Sequence, residues 1–187
     1  MLAPQQNCLY HTMKFKKPQA RLEIPGATYF ITFVTWQRLE LTPSARKIVL
    51  NSCLFFHQKR YRIYSVVIMP DHVHLLIQPF PQQASNASIL LADSNQDRIL
   101  LTDSSDRQSS LKYWSIGSIL HSIKSYSAKQ IPTVMNHIGK VWQDGRYDRL
   151  IRDRQEFDNT WKYIKQNPVK AGLCNTPEEY QFYWEIS

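Results

Sequence analysis

The sequence predicts an α+β sandwich, an antiparallel sheet with helices packed on one face. Three observations predict it. Short β-branched and aromatic runs of strand length are interspersed with longer stretches whose apolar residues recur at helical spacing. Two of the strand-like runs are separated by only a Pro-Asp turn, a connection too short for anything but antiparallel neighbours. The chain has 187 residues, 43% of them hydrophobic, enough for one well-buried core and too few for two.

Taken in order, Pro25-Gly26 is a turn signal, and Ala27 to Trp36 (ATYFITFVTW) has the composition of a central strand. Thr42-Pro43 opens a helix with Thr as N-cap and Pro at the first position, and Ile48, Val49, Cys53 and Phe56 recur at helical spacing toward His57. A second strand from Arg62 to Met69 and a third from His72 to Gln78 flank Pro70-Asp71 as a hairpin. Trp114 to Ile131 is an amphipathic helix, with Ile116, Ile119, Leu120, Ile123 and Tyr126 on its apolar stripe, expected to end before Pro132. Val141 to Ile151 reads as a strand or bent hairpin around Asp144-Gly145. Asp153 to Lys170 is a final helix, expected to stop or kink near Asn167-Pro168. The order strand, helix, strand, strand, helix, strand, helix is that of a ferredoxin-like or RRM-like sandwich with one sheet face left open for ligand chemistry.

Three segments fall outside this pattern. Residues 1–25 are a basic N-terminal arm without a clear period, and residues 176–187 a C-terminal tail. Between them residues 26–175 form the domain, interrupted at about 81–113 by a Ser-, Asp- and Gln-rich stretch expected to be mobile. Within that stretch Ile89 to Ser94 (ILLADS) is echoed by Ile99 to Ser104 (ILLTDS); two ten-residue copies cannot build a solenoid, so a local duplication is the better account.

The formal net charge of +8 fits a polyanionic partner, nucleic acid first among them. Three widely spaced cysteines make no CxxC pair, so neither a disulfide framework nor a zinc knuckle is suggested. No apolar run approaches the ~18 residues of a membrane span, and no signal-peptide pattern opens the chain. A soluble, cytoplasmic protein is expected.

Two polar residues stand out in the apolar run Val66 to Ile77 (VVIMPDHVHLLI). His72 and His74 are two apart on a strand, so they project from one face and can reach one ion. A third ligand must come from elsewhere. The final helix offers Tyr163 and Asn167, four residues apart and therefore on one helical face. An amide oxygen can complete a metal shell and a phenol can attack phosphorus. By themselves these two residues read more readily as a core aromatic and a helix-terminal amide before Pro168. Tyr126 sits between cations but lacks an amide partner one turn on, His121 and His137 lack ligand-like neighbours, and Cys53 is most simply a small core residue.

The motif His72-Val73-His74 within VVIMPDHVHLLI, followed far downstream by Lys162 to Leu173 (KYIKQNPVKAGL) and joined to it by Val141-Trp142-Gln143 and a basic strand, resembles the single-tyrosine HUH transposases, specifically the REP-associated tyrosine transposases. The likeness covers about Ala27 to Leu173 apart from the insertion, which is not associated with the family's core.

The resemblance implies a metal-dependent endonuclease and strand transferase acting on single-stranded or hairpin DNA, with a role in DNA transposition and recombination and a place at the nucleoid. His72, His74 and Asn167 would hold Mg²⁺ or Mn²⁺; the imidazoles favour Mn²⁺. Tyr163 would attack a DNA phosphate, leaving a 5′-phosphotyrosine link and a free 3′ hydroxyl. Lys59, Arg60, Arg62, Lys124, Lys129, Arg146, Arg149 and Arg152 are the candidate phosphate contacts, with Tyr147 stacking on unpaired bases. The rivals are a non-catalytic nucleic-acid-binding module on the same fold and a metal-dependent phosphodiesterase that uses water. Monomer and homodimer, with the tyrosine supplied in cis or in trans, both remain open on sequence.

Overall fold

A computed structural model describes residues 23–82 and 111–186. Most of the basic arm and of the insertion, including both ILL copies, lies outside the described residues. The sheet is antiparallel throughout, in the order β4-β1-β3-β2-β5, and comprises β1 (Tyr29–Val34), β2 (Tyr61–Ile68), β3 (His72–Pro79), β4 (Tyr147–Leu150) and β5 (Tyr183–Glu185). Its first four strands follow the ferredoxin-like order, with α1 (Pro43–Leu54) and α2 (Ile116–Met135) as crossovers; α3 (Arg154–Lys170) and β5 are additions at the end.

Strand alternation divides the core. Ile31 and Phe33 of β1, Ile63, Val66 and Ile68 of β2, and Val73, Leu75 and Ile77 of β3 are fully buried. They face Ala45, Val49 and Cys53 of α1 and Ile116, Ile119 and Ile123 of α2, all buried as well. The β2–β3 register shifts between Ile63 and Ser65, a bulge that lets both ends of β2 keep their apolar residues on this side. The other face carries Phe30 and Thr32 of β1 and His72 and His74 of β3. Against it lies α3, whose Tyr163 meets Phe30 edge-on while Phe157 and Trp161 pack on Tyr64. The helices are therefore shared between the faces: α1 and α2 cover one, and α3 half-covers the side expected to stay open.

The caps are as the sequence predicts for α1, where Thr42 accepts from Ala45 N. Ser115 and Asp153 cap α2 and α3 in the same way. Two helix ends differ from expectation. The second helix runs through Pro132 to Met135, closing on Asn136 in the left-handed conformation. The third runs through Pro168 to Lys170. In both cases the proline falls in the last turns, where it removes one ladder bond from a helix already anchored by its buried stripe. Tyr126 is not on the apolar stripe but 56% exposed; Ser127, fully buried and bonded to Ile123 O and Trp142 Nε1, takes the inward position.

Residues placed by sequence in a C-terminal tail include the short turn Pro177–Glu179 and β5, which pairs with β2. Glu185 of β5 accepts from Trp161 Nε1 and Lys165 Nζ, pinning α3 to the sheet edge. The two ends of the insertion meet: Gln82 N donates to Lys112 O at 2.6 Å and Trp114 N to Phe80 O at 3.0 Å. The insertion thus leaves and rejoins the domain at one point, which is why the core order survives it. Among the described residues no helix is long and apolar enough to cross a membrane.

Candidate active site

His72 and His74 project from the same face of β3, as their spacing requires, with ring centroids 4.8 Å apart. A hydrogen bond to each Nδ1 fixes the rings. Asp71 Oδ1 lies 2.6 Å from His72 Nδ1, and the carboxylate, able only to accept, selects the Nδ1–H form. Thr32, the cross-strand partner of His74, places Oγ1 2.8 Å from that ring's Nδ1, and its hydroxyl accommodates the same tautomer. Both rings are then left with Nε2 as the open nitrogen. His74 is 2% exposed. Burial, reinforced by the neighbouring His72, pushes its pKa well below the ordinary histidine range against the opposing pull of Asp71, so the ring is neutral.

Tyr163 of α3 completes the group. Its ring centroid is 5.4 Å from that of His74 and 6.0 Å from Phe30, which itself stacks on His74 at 5.4 Å. Phe30 is the wedge that holds histidine and tyrosine together. Lys170 Nζ lies 5.7 Å from the Tyr163 ring centre. Asn167, partly buried, is one helical turn beyond Tyr163. Among the described residues no group of three or more His, Cys, Asp or Glu is placed to hold a metal ion.

Beside Tyr163 opens a cleft of about 560 Å³ lined by Phe30, Arg149, Arg152, Glu156 and Thr160. Arg149 Nε pairs with Glu156 at 3.2 Å, and its NH2 group donates to Thr160. Tyr147 meets Phe30 edge-on at 6.3 Å. The structure therefore gathers Tyr147, Arg149 and Arg152 with the tyrosine.

The other predicted DNA contacts lie elsewhere. Arg60 is stacked 3.5 Å from the Phe56 ring centre and 4.3 Å from that of Trp114, Arg62 packs 5.8 Å from Phe80, and Lys59 is exposed beside them. That corner is at the opposite end of β2 from the histidines. Lys129 is exposed on α2, behind the sheet. Lys124 donates to Gln143 O at 2.7 Å and Gly145 O at 3.2 Å, tying down the turn before β4; burial above all lowers its pKa to about 8. Arg146 bridges Glu23 and Asp148 at 3.0 and 2.9 Å.

Sequence reasoning missed Phe30, Thr32, Asp71 and Arg38. Asp71 had a legible signal, since it directly precedes His72 in the motif, yet it reads equally as a turn residue. Thr32 and Phe30 become visible only through the β1–β3 register.

A histidine pair and a tyrosine thus converge on one face of a ferredoxin-like sheet, the residues on which the motif resemblance rests. The chain is 23% identical over 171 residues to a Haemophilus influenzae protein named as a REP-associated tyrosine transposase, an alignment covering 84% of this chain and 78% of that one. A second, uncharacterized protein of the same organism is 29% identical over 123 residues, covering 64% of this chain and 59% of its own length. In fold, a REP-associated tyrosine transposase solved bound to a REP hairpin matches with a TM-score of 0.58 at 19% identity, over 90% of this chain and 82% of that one. No family model matches the chain. The chain is thus similar to REP-associated tyrosine transposases in sequence and in fold.

Proposed function

We propose that the protein is a single-stranded DNA endonuclease and strand transferase that cuts at or near hairpins through Tyr163. The observation that carries this reading is the meeting of His72, His74 and Tyr163 within one chain. A core aromatic could have pointed anywhere along α3; this one faces the histidine pair and borders a cleft. The likeness to a structure that holds a REP hairpin supports the substrate class.

The donor set fits a divalent cation: Asp71 and Thr32 engage the two Nδ1 atoms and leave each ring its Nε2, and burial holds the His74 ring neutral. His72 and His74, with Asn167 from α3, would hold Mg²⁺ or Mn²⁺, the imidazoles favouring Mn²⁺. When bound, the cation supplies Lewis-acid polarisation of the scissile phosphate.

The chain's own residues do the rest. The Tyr163 oxygen attacks phosphorus as its proton passes to solvent, and a phosphotyrosine bond to the 5′ side forms. The bond to the 3′ oxygen breaks, and that oxygen leaves as a hydroxyl after taking a proton. The phosphoester is conserved, so a 3′ hydroxyl can reverse the step without another energy source. Arg149 and Arg152 line the cleft where flanking phosphates would lie, and Tyr147, partly exposed beside Phe30, would offer aromatic surface to an unpaired base. Incubation with end-labelled hairpin DNA and Mn²⁺ tests the proposal. A covalent protein-DNA adduct is expected with the wild type and lost in Tyr163→Phe; no adduct with the wild type, or an undiminished one in the variant, refutes it.

A further inference from the structure

We infer that Arg38 is a positioning residue for the metal-binding histidine, acting through Asp71 on His72. Arg38 Nη1 donates to Asp71 Oδ2 at 3.1 Å while the other carboxylate oxygen, Oδ1, holds His72 Nδ1 at 2.6 Å. The carboxylate is engaged at both ends, so its plane, and the imidazole plane with it, is fixed. The inference rests on the proposed cation site.

The backbone around Arg38 is built for this contact. Gln37 and Arg38 both adopt positive φ, +49° and +59°, in a turn without glycine. Consecutive left-handed residues with full side chains persist only where surrounding contacts enforce them, and such strain concentrates at functional sites. The enforcing contacts are present on both sides. Thr35 N and Oγ1 both donate to Asp71 O, at 2.9 and 3.0 Å, and Leu41 N donates to Pro70 O at 2.7 Å. The 35–41 segment is therefore laced to the Pro70-Asp71 turn, and Arg38 projects from the middle of the lacing onto the carboxylate. The Arg38 side chain is 49% exposed and those of Asp71 and His72 27% and 22%, so the pair adds little to fold stability and its geometry calls for another explanation. Partners that orient a ligating histidine change metal affinity by roughly 10- to 100-fold when removed.

The sign of the effect separates positioning from plain electrostatics. If Arg38 acted only through its charge, its removal would relieve repulsion and tighten cation binding. Acting through Asp71, its removal loosens binding. Mn²⁺ affinity of the full chain, read by electron paramagnetic resonance of the free ion, should fall about tenfold or more in Arg38→Ala. It should recover in part in Arg38→Lys and stay unchanged in Arg154→Ala, which removes an equal charge from an exposed pair on α3. A second readout needs no metal: ¹⁵N spectra should show His72 as the Nδ1–H tautomer in the wild type and as a mixture in Arg38→Ala. Mn²⁺ affinity in Arg38→Ala equal to or tighter than wild type, with binding still lost in His74→Ala, overturns the role of Arg38 and leaves the cation site standing. A wild type that binds no Mn²⁺, or a His74→Ala variant that binds it equally well, overturns the cation site and the inference with it.

Discussion

The two faces of the sheet are made from the same strands and do different work. Toward α1 and α2, Ile31, Phe33, Val73, Leu75 and Ile77 are all fully buried, an apolar layer with nothing to ionise. Toward α3 the alternate positions of the same two strands include Phe30, Thr32, His72 and His74, three rings and a hydroxyl set among apolar residues such as Leu76 and bordered by a cleft. Alternation lets one face supply stability while its reverse is left for chemistry. The stability of the first holds the geometry of the second.

Substitutions on the two faces should therefore separate activity from stability. The largest expected effect is Tyr163→Phe, which removes one oxygen: strand cleavage should fall by on the order of 10³-fold or more, while the thermal midpoint should shift by no more than ~1 kcal/mol equivalent. Phe33→Ala, on the apolar face directly behind, should do the reverse. It should cost about 3–5 kcal/mol in denaturant unfolding, with cleavage per folded molecule retained.

Smaller effects sharpen the contrast among the cations. Arg149→Gln, in the cleft, should weaken single-stranded DNA binding several-fold and reduce the salt slope of log K by about 0.7, whereas Lys129→Gln on α2 should change neither. Binding titrations at several salt concentrations measure both. The subtlest test concerns Lys124. Its folded pKa of about 8 is below the unfolded lysine value of 10.5, so between these pH values the unfolded chain binds more protons, and this group makes stability rise with pH. Urea unfolding from pH 8 to 10 should show a less positive slope in Lys124→Met than in the wild type. An unchanged slope would place Lys124 in solvent.

The apolar face was almost wholly legible in the sequence, because periodicity reports burial directly: Ile116, Ile119, Leu120 and Ile123 announce α2 as plainly as ITFV announces β1. The site was half legible. His72 and His74 declared themselves as polar residues in an apolar strand, but Tyr163 became their partner only by resemblance, since a contact across about ninety residues leaves no local trace. Thr32 and Asp71 were hidden for another reason: each has an ordinary local role, strand residue and turn residue, and its second role exists only in three dimensions. Strand β5 was illegible because three residues, Tyr183 to Glu185, are too few to show a period. Lys124 and Arg146, assigned to DNA by charge alone, prove to be engaged with Gln143, Gly145, Glu23 and Asp148, partners a charge count cannot see.

The central claim is that both halves of the site lie in one molecule, with Tyr163 against His74 of its own chain. Mixing two inactive variants tests it most directly. Tyr163→Phe supplies histidines without a nucleophile, and His72→Ala/His74→Ala a nucleophile without histidines. With labelled hairpin DNA and Mn²⁺, beside a wild-type sample that forms the covalent adduct, the mixture should form none. An adduct on the chain that kept Tyr163 would show the tyrosine working with a partner's histidines and would contradict the account.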